Sequence, residues 1–141
     1  AYTGAVAPEA IEATGFIGES HRDVGLLAVT SADRLHAGWT AARNLRRDRR
    51  GTQHLSHVEK LLAPLTRDCG IVTAIDGHPA ALGWLGSVRG HRVEALGVEQ
   101  FGQTGTIRDL YRHHGIDANA IIDAAETLTV GAPVRHRKMA V

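Results

Sequence analysis

Several groups of side chains in this sequence are of the types that acid–base, metal or phosphate chemistry requires. Asp76 and His78 are two positions apart, so a carboxylate could orient an imidazole that deprotonates the hydroxyl of Ser31 or Thr104. No Gly-x-Ser-x-Gly elbow surrounds either hydroxyl, however, and at a strand-to-helix turn Asp and Ser serve first as helix caps. Capping therefore outweighs nucleophilic catalysis at these positions. Nine histidines invite a metal reading, with His54/His57 and His113/His114 the closest groups. A helical ligand pair sits four apart on one face, and neither group has a matching downstream set, so no metal site is expected. Surface or interface histidines, with side-chain pKa values near ~6.5, would instead make association pH-dependent. The stretch from Gly97 to Gly105 precedes a helix and could hold a phosphate at its N-terminus. It lacks the Lys-Ser/Thr of a P-loop and the ordered Gly-x-Gly-x-x-Gly, which favours a structural loop with special backbone angles at Gly102 and Gly105.

The chain that must position these groups has 141 residues, 43% of them hydrophobic and 22% charged, which fits one globular domain. Sixteen basic residues against 15 acidic ones leave a formal charge of +1, so no overall cationic field marks a nucleic-acid or membrane binder. A local patch does exist, with five arginines in the eight positions 43–50. It has no interleaved aromatic platform, and a solvated helix end and loop is the preferred reading. The single cysteine, Cys69, excludes an intramolecular disulfide framework and fits a cytoplasmic setting. No apolar run or basic leader indicates a membrane span or signal peptide, so a soluble protein is expected.

Hydrophobic spacing predicts a helix over about residues 7–19, carried by Ala7, Ala10, Ile11, Thr14 and Ile17. Residues 24–30 form a continuous apolar run of the type found in strands covered on both faces. Ser31 then opens a second helix through Leu35, Trp39 and Ala42, and Leu55, Val58, Leu61, Leu62 and Leu65 predict a third. A second buried-type strand is expected over 70–76. The turn Gly77-His78-Pro79 then leads into a helix with Leu82 and Leu85 inward, and a third strand follows over 92–98. Thr106 and Asp109 predict a capping box for a short helix over about 106–114, stopped by Gly115 and Ile116. Asp117 caps the last helix, in which Ile121, Ile122, Ala125 and Leu128 share a face, and residues 131–141 read as a flexible basic tail. Alternating strands and helices predict an α/β fold, a three-layer sandwich with a mostly parallel sheet of about five strands. Ligands and partners of such sheets gather at strand carboxyl ends, which are here Thr30-Ser31, Asp76-Gly77-His78 and the loop 99–105.

The segment Gly97-Val98-Glu99-Gln100-Phe101-Gly102-Gln103-Thr104-Gly105, followed by Leu110-Tyr111-Arg112-His113-His114-Gly115-Ile116-Asp117, resembles the last strand, loop and helix of the transketolase C-terminal domain. The second part is similar, more specifically, to the homodimeric bacterial pyruvate dehydrogenase decarboxylating component. Ala5-Val6-Ala7-Pro8-Glu9-Ala10-Ile11, Val29-Thr30-Ser31-Ala32-Asp33-Arg34-Leu35 and Ile75-Asp76-Gly77-His78-Pro79-Ala80-Ala81-Leu82 add to the resemblance, which covers about residues 4–126. It implies a transketolase C-terminal-like domain over 1–130 with a shortened first strand, in a chain cut from a longer one. It further implies a parent enzyme that uses thiamine diphosphate and magnesium to decarboxylate pyruvate and pass acetyl to the lipoyl group of an acyltransferase component.

The Gly-Asp-Gly…Asn-Asn pattern that holds magnesium and diphosphate in that family does not occur here. No cofactor, metal or catalytic residue is therefore assigned to this chain. Its implied role is to pack on the N-terminal and middle domains of the same enzyme and to support the homodimer. Ser31, Asp76, His78, Phe101, Gly102 and Thr104 are the candidate interface or ligand positions. Two alternatives stand beside this reading: a separate subunit of a split thiamine enzyme acting on another 2-oxo acid or ketose, and a small nucleotide- or RNA-binding module working through residues 43–50. An incompletely paired sheet would also expose backbone groups and apolar surface, so the chain is expected to self-associate.

Overall fold

A computed structural model describes residues 1–21, 23–48 and 53–129. The expected tail and the arginines at 49 and 50 lie outside the described residues. Strand β1 (Tyr2–Thr3) passes through a 3-10 turn (Gly4–Val6) into helix α1 (Ala7–Ser20). Helices α2 (Ala32–Asp48) and α3 (His57–Leu61) lead to strand β2 (Gly70–Ile75). Two short helices, α4 (Ala80–Gly83) and α5 (Leu85–Arg89), connect it to strand β3 (Arg92–Leu96), and α6 (Ile107–His113) and α7 (Ala118–Thr129) follow. No helix among the described residues is long and apolar enough to cross a membrane.

The fold is α/β, and among the described residues the sheet has three strands in the order β1-β2-β3, both pairs parallel. β2 and β3 run in register from Gly70 opposite Arg92 to Ala74 opposite Leu96. Side chains alternate across such a sheet, and the core divides accordingly. Val72, Ala74 and Leu96 face Val6, Ala10 and Ala13 around α1 and Ile116, Ala118 and Ile121 around α7. Ile71 and Val93 face Trp39, Val58, Leu62, Leu82 and Leu85 of the helices between β1 and β3. Leu82 and Leu85 are fully buried, as their spacing predicts, although the expected single helix is interrupted at Trp84.

Of the expected sheet of about five strands, three form among the described residues, and residues 24–30 do not form one. They make only a parallel bridge between Ala28 and Tyr2. The apolar run signals burial but cannot supply a neighbour: β1 leaves the sheet at Gly4, whose φ of +80° turns the chain away. Only Val29 in this run is buried, while Val24 and Leu26 are substantially exposed. The expected long third helix is likewise reduced to α3. Pro64 disfavours helical geometry at Ala63, so the chain leaves α3 through turns in which Ala63 and Leu65 donate to the Lys60 and Leu62 carbonyls. Its start is set by a capping box: the Ser56 hydroxyl receives the Glu59 amide and the Glu59 carboxylate receives the Ser56 amide at 2.7 Å. The box predicted at α6 is incomplete. The Asp109 amide reaches the Thr106 hydroxyl, but the shorter Asp109 side chain takes the bond of that same hydroxyl at 2.7 Å.

Candidate functional site

The carboxyl ends of β2 and β3 are held together by close backbone contact. Val98 donates its amide to the Gly77 carbonyl at 2.8 Å, directly after β3. Gly97 makes this approach possible, since a Cβ there would stand 2.5 Å from the Gly77 oxygen and 2.7 Å from the Pro79 nitrogen. The turn Asp76-Gly77-His78 and the start of the loop 97–106 therefore form one rim. From that rim residues 99–109 stand exposed, with Phe101 at 99% and Ile107 at 70% exposure.

Asp76 works on the backbone. Its Oδ2 accepts the Ala5 amide at 3.2 Å, and a Cβ on Gly4 would lie 1.9 Å from its Oδ1. The carboxylate thus fills the space left by glycine and fastens the exit of β1 to the end of β2. His78 is also used locally: its Nδ1 accepts the Ala80 amide at 3.2 Å and its carbonyl accepts that of Ala81. Asp76 and His78 make no hydrogen bond to each other among the described residues. Ser31 belongs to a different part of the sheet, beyond β1, where interstrand spacing alone separates it from β2 by roughly 10 Å. Thr104 is exposed and its hydroxyl has no hydrogen bond among the described residues. The structure therefore brings Asp76 and His78 into one turn in capping roles and does not assemble an acid–base–hydroxyl set. Phe101 and Gly102, whose φ is +111°, lie on the exposed loop.

Sequence reasoning missed two neighbours of this rim. Glu9 reaches from α1 to accept the Ala118 amide at 2.8 Å, so it caps α7. Tyr111, on α6, is half-buried, and burial together with the Asp76 and Glu9 carboxylates pushes its phenol above the usual range. The pairing of Glu9 with Ala118 across the fold has no local signal. Tyr111 was visible only as one letter of the resemblance.

The other candidate groups have structural partners. His113 and His114 meet edge to face at 4.9 Å, and no group of three or more His, Cys, Asp or Glu among the described residues is disposed to hold a metal ion. The sequence has no Gly-Asp-Gly segment either. In the arginine patch, α2 continues through Asp48. Arg43 lies 4.7 Å over the Trp39 ring, which is itself stacked on Trp84 at 5.4 Å. Arg46 grips the Glu59 carboxylate through both terminal nitrogens, at 3.1 and 2.8 Å, and also donates to the His54 carbonyl. A groove of about 290 Å³ runs beside Ser31, between residues 27–31 and the first turns of α2, with His57 on its wall.

No known protein family's sequence profile matches the chain. No curated protein matches it either.

Proposed function

We propose that this chain is the C-terminal, non-catalytic domain of a thiamine-diphosphate-dependent enzyme of the pyruvate dehydrogenase decarboxylating type, where it supports the homodimer. The observation that carries the reading is the exposed loop bearing Phe101. An aromatic ring at 99% exposure, on a loop tied at its base to the β2 turn, has the form of an anchor for another protein surface. The parallel sheet with strand-to-helix turns, and the motifs that resemble the transketolase C-terminal domain, support the same assignment. In this reading the N-terminal and middle domains supply the thiamine diphosphate and magnesium site, and the lipoyl acyltransferase component accepts the acetyl group. This chain's residues contribute packing and position the loop. A nucleic-acid role through residues 43–50 is the weaker reading, since Arg43 and Arg46 are engaged with Trp39 and Glu59.

The test is calorimetric titration of the purified chain with thiamine diphosphate and magnesium, paired with a pyruvate decarboxylation assay and with mixing against the catalytic domains of such an enzyme. The expected result is silence in the first two and stable, Phe101-dependent association in the third. Saturable cofactor binding with turnover by the chain alone would overturn the proposal. So would failure to associate with the catalytic domains.

A further inference from the structure

Two residues in the groove beside Ser31 have no structural duty. Gly38 lies inside α2, where its φ is not positive and a Cβ would meet nothing within 4 Å. Neither backbone conformation nor packing requires glycine there, and apart from proline it is the poorest helix former. What the missing side chain does leave is open space over the groove, which Gly38 lines with Arg34 and Leu35, one turn earlier on the same side of α2. Arg34 is the second such residue. Its side chain is exposed and makes no hydrogen bond or ion pair among the described residues, whereas Arg46 is held by Glu59 and Arg43 lies over Trp39.

The rest of the wall combines apolar and polar groups. Residues 27–31 supply Leu27 and the hydroxyls of Thr30 and Ser31, and α3 supplies His57. Neither hydroxyl nor the His57 ring has a hydrogen-bond partner among the described residues. Leu27 and Leu35 are half-buried, so each still presents apolar surface. No Asp or Glu among the described residues lines the groove, which leaves Arg34 as its fixed charge. The volume, about 290 Å³, is at the lower end of the range for small-molecule sites.

We propose that this groove is a binding site for a small monocarboxylate with a short apolar body. A guanidinium presents paired N–H groups that match the two oxygens of a carboxylate, and the Thr30 and Ser31 hydroxyls are further donors for them. A single fixed positive charge balances a monoanion; a phosphate dianion would be left half neutralised. Leu27 and Leu35 give the ligand's carbon atoms an apolar surface to cover, which a simple inorganic anion does not use. Gly38 keeps the space that this body fills. No residue of the loop 99–105 lines the groove, so the site does not depend on the role proposed for Phe101.

The experiment is a titration of the full chain with sodium butyrate and, separately, with inorganic phosphate, followed by the amide shifts in proton–nitrogen NMR spectra. Butyrate should saturate in the millimolar range, with the shifts centred on residues 27–38 and His57, and phosphate should bind more weakly. Arg34→Gln removes the charge and should raise the butyrate dissociation constant about tenfold or more. Gly38→Leu fills the groove with a better helix former, so it should abolish binding while far-UV circular dichroism shows helix content at or above wild type. Gly38→Ala, the smaller change, should weaken binding in part, and Phe101→Ala should leave it as in wild type. Absence of saturation by butyrate overturns the proposal. So does butyrate binding that survives both Arg34→Gln and Gly38→Leu. Phosphate that binds more tightly than butyrate, and does so equally in Gly38→Leu, also overturns it, since the groove would then be only a surface that attracts anions.

Discussion

Replacing Glu59 removes the ion pair with Arg46 that ties α2 to α3. The carboxylate receives the Ser56 amide and hydroxyl, both at 2.7 Å, and both terminal nitrogens of Arg46. With Ser56 at 5% and Glu59 at 7% exposure, water cannot replace those bonds. In Glu59→Ala the lost capping interaction costs about 1 kcal/mol and the stranded Ser56 amide a further ~1–2 kcal/mol. Arg46 keeps a 29% exposed side chain and can be rehydrated, so its contribution is under about 1 kcal/mol. A destabilisation of about 2–4 kcal/mol follows, against about 1–2 kcal/mol for Glu59→Gln, whose amide oxygen still accepts from Ser56. Urea unfolding followed by tryptophan fluorescence gives both values.

The pH dependence supplies a second arm. Burial alone would raise the Glu59 pKa, but the bonds from Ser56 and Arg46 outweigh it and hold the carboxyl below its ordinary value. Its stabilisation is therefore complete above the unfolded pKa of about 4.3 and is lost as pH falls through the lower folded value. Wild type should lose stability more steeply than Glu59→Gln over that acid range. Equal slopes, with a neutral-pH difference under ~0.5 kcal/mol, would refute the claim that this network holds the two helices.

Further predictions concern the sheet, the rim and the loop. Thr73 is fully buried in β2 and its hydroxyl has no partner among the described residues, so Thr73→Val should raise stability by about 1 kcal/mol in the same unfolding assay. Gly97→Ala must displace the Gly77 carbonyl or Pro79, at a cost of about 1–3 kcal/mol, and should make the loop 99–105 more sensitive to limited proteolysis. Phe101→Ala should leave the unfolding midpoint of the chain within about 0.5 kcal/mol of wild type, since the ring touches solvent. The same substitution should weaken dimerisation of a full enzyme carrying this domain, measured by sedimentation; the reverse pattern would sink the interface reading.

The sequence was legible where a single local pattern sufficed. Helix α1, strand β2, the inward Leu82 and Leu85 and the caps at Thr106 and Asp117 all follow from spacing or from a side chain bonding to amides within three residues. Residues 24–30 were misread because apolar content cannot specify a neighbouring strand, and β1 offers a single pairing residue there. The site was half legible. Asp76 is expected to cap the helix that follows its turn, whereas its partner, the Ala5 amide, lies 71 positions away and joins two elements that no local pattern links. Gly97 is similar: its letter shows flexibility, whereas its role is the room it leaves for Gly77 and Pro79.

The division of the core also sorts the chromophores. Both tryptophans, Trp39 and Trp84, belong to the side of the sheet that carries α2 to α5, stacked on each other with His36 edge-on to each. Both tyrosines, Tyr2 and Tyr111, pack on the opposite side with α1 and α7. Each half of the molecule thus has its own optical label without any engineering. Tryptophan emission follows the loss of one layer of helices and tyrosine absorbance the loss of the other. Coincident curves would mean that β2, shared by both layers, couples them into one cooperative unit, and separated curves would identify which layer opens first.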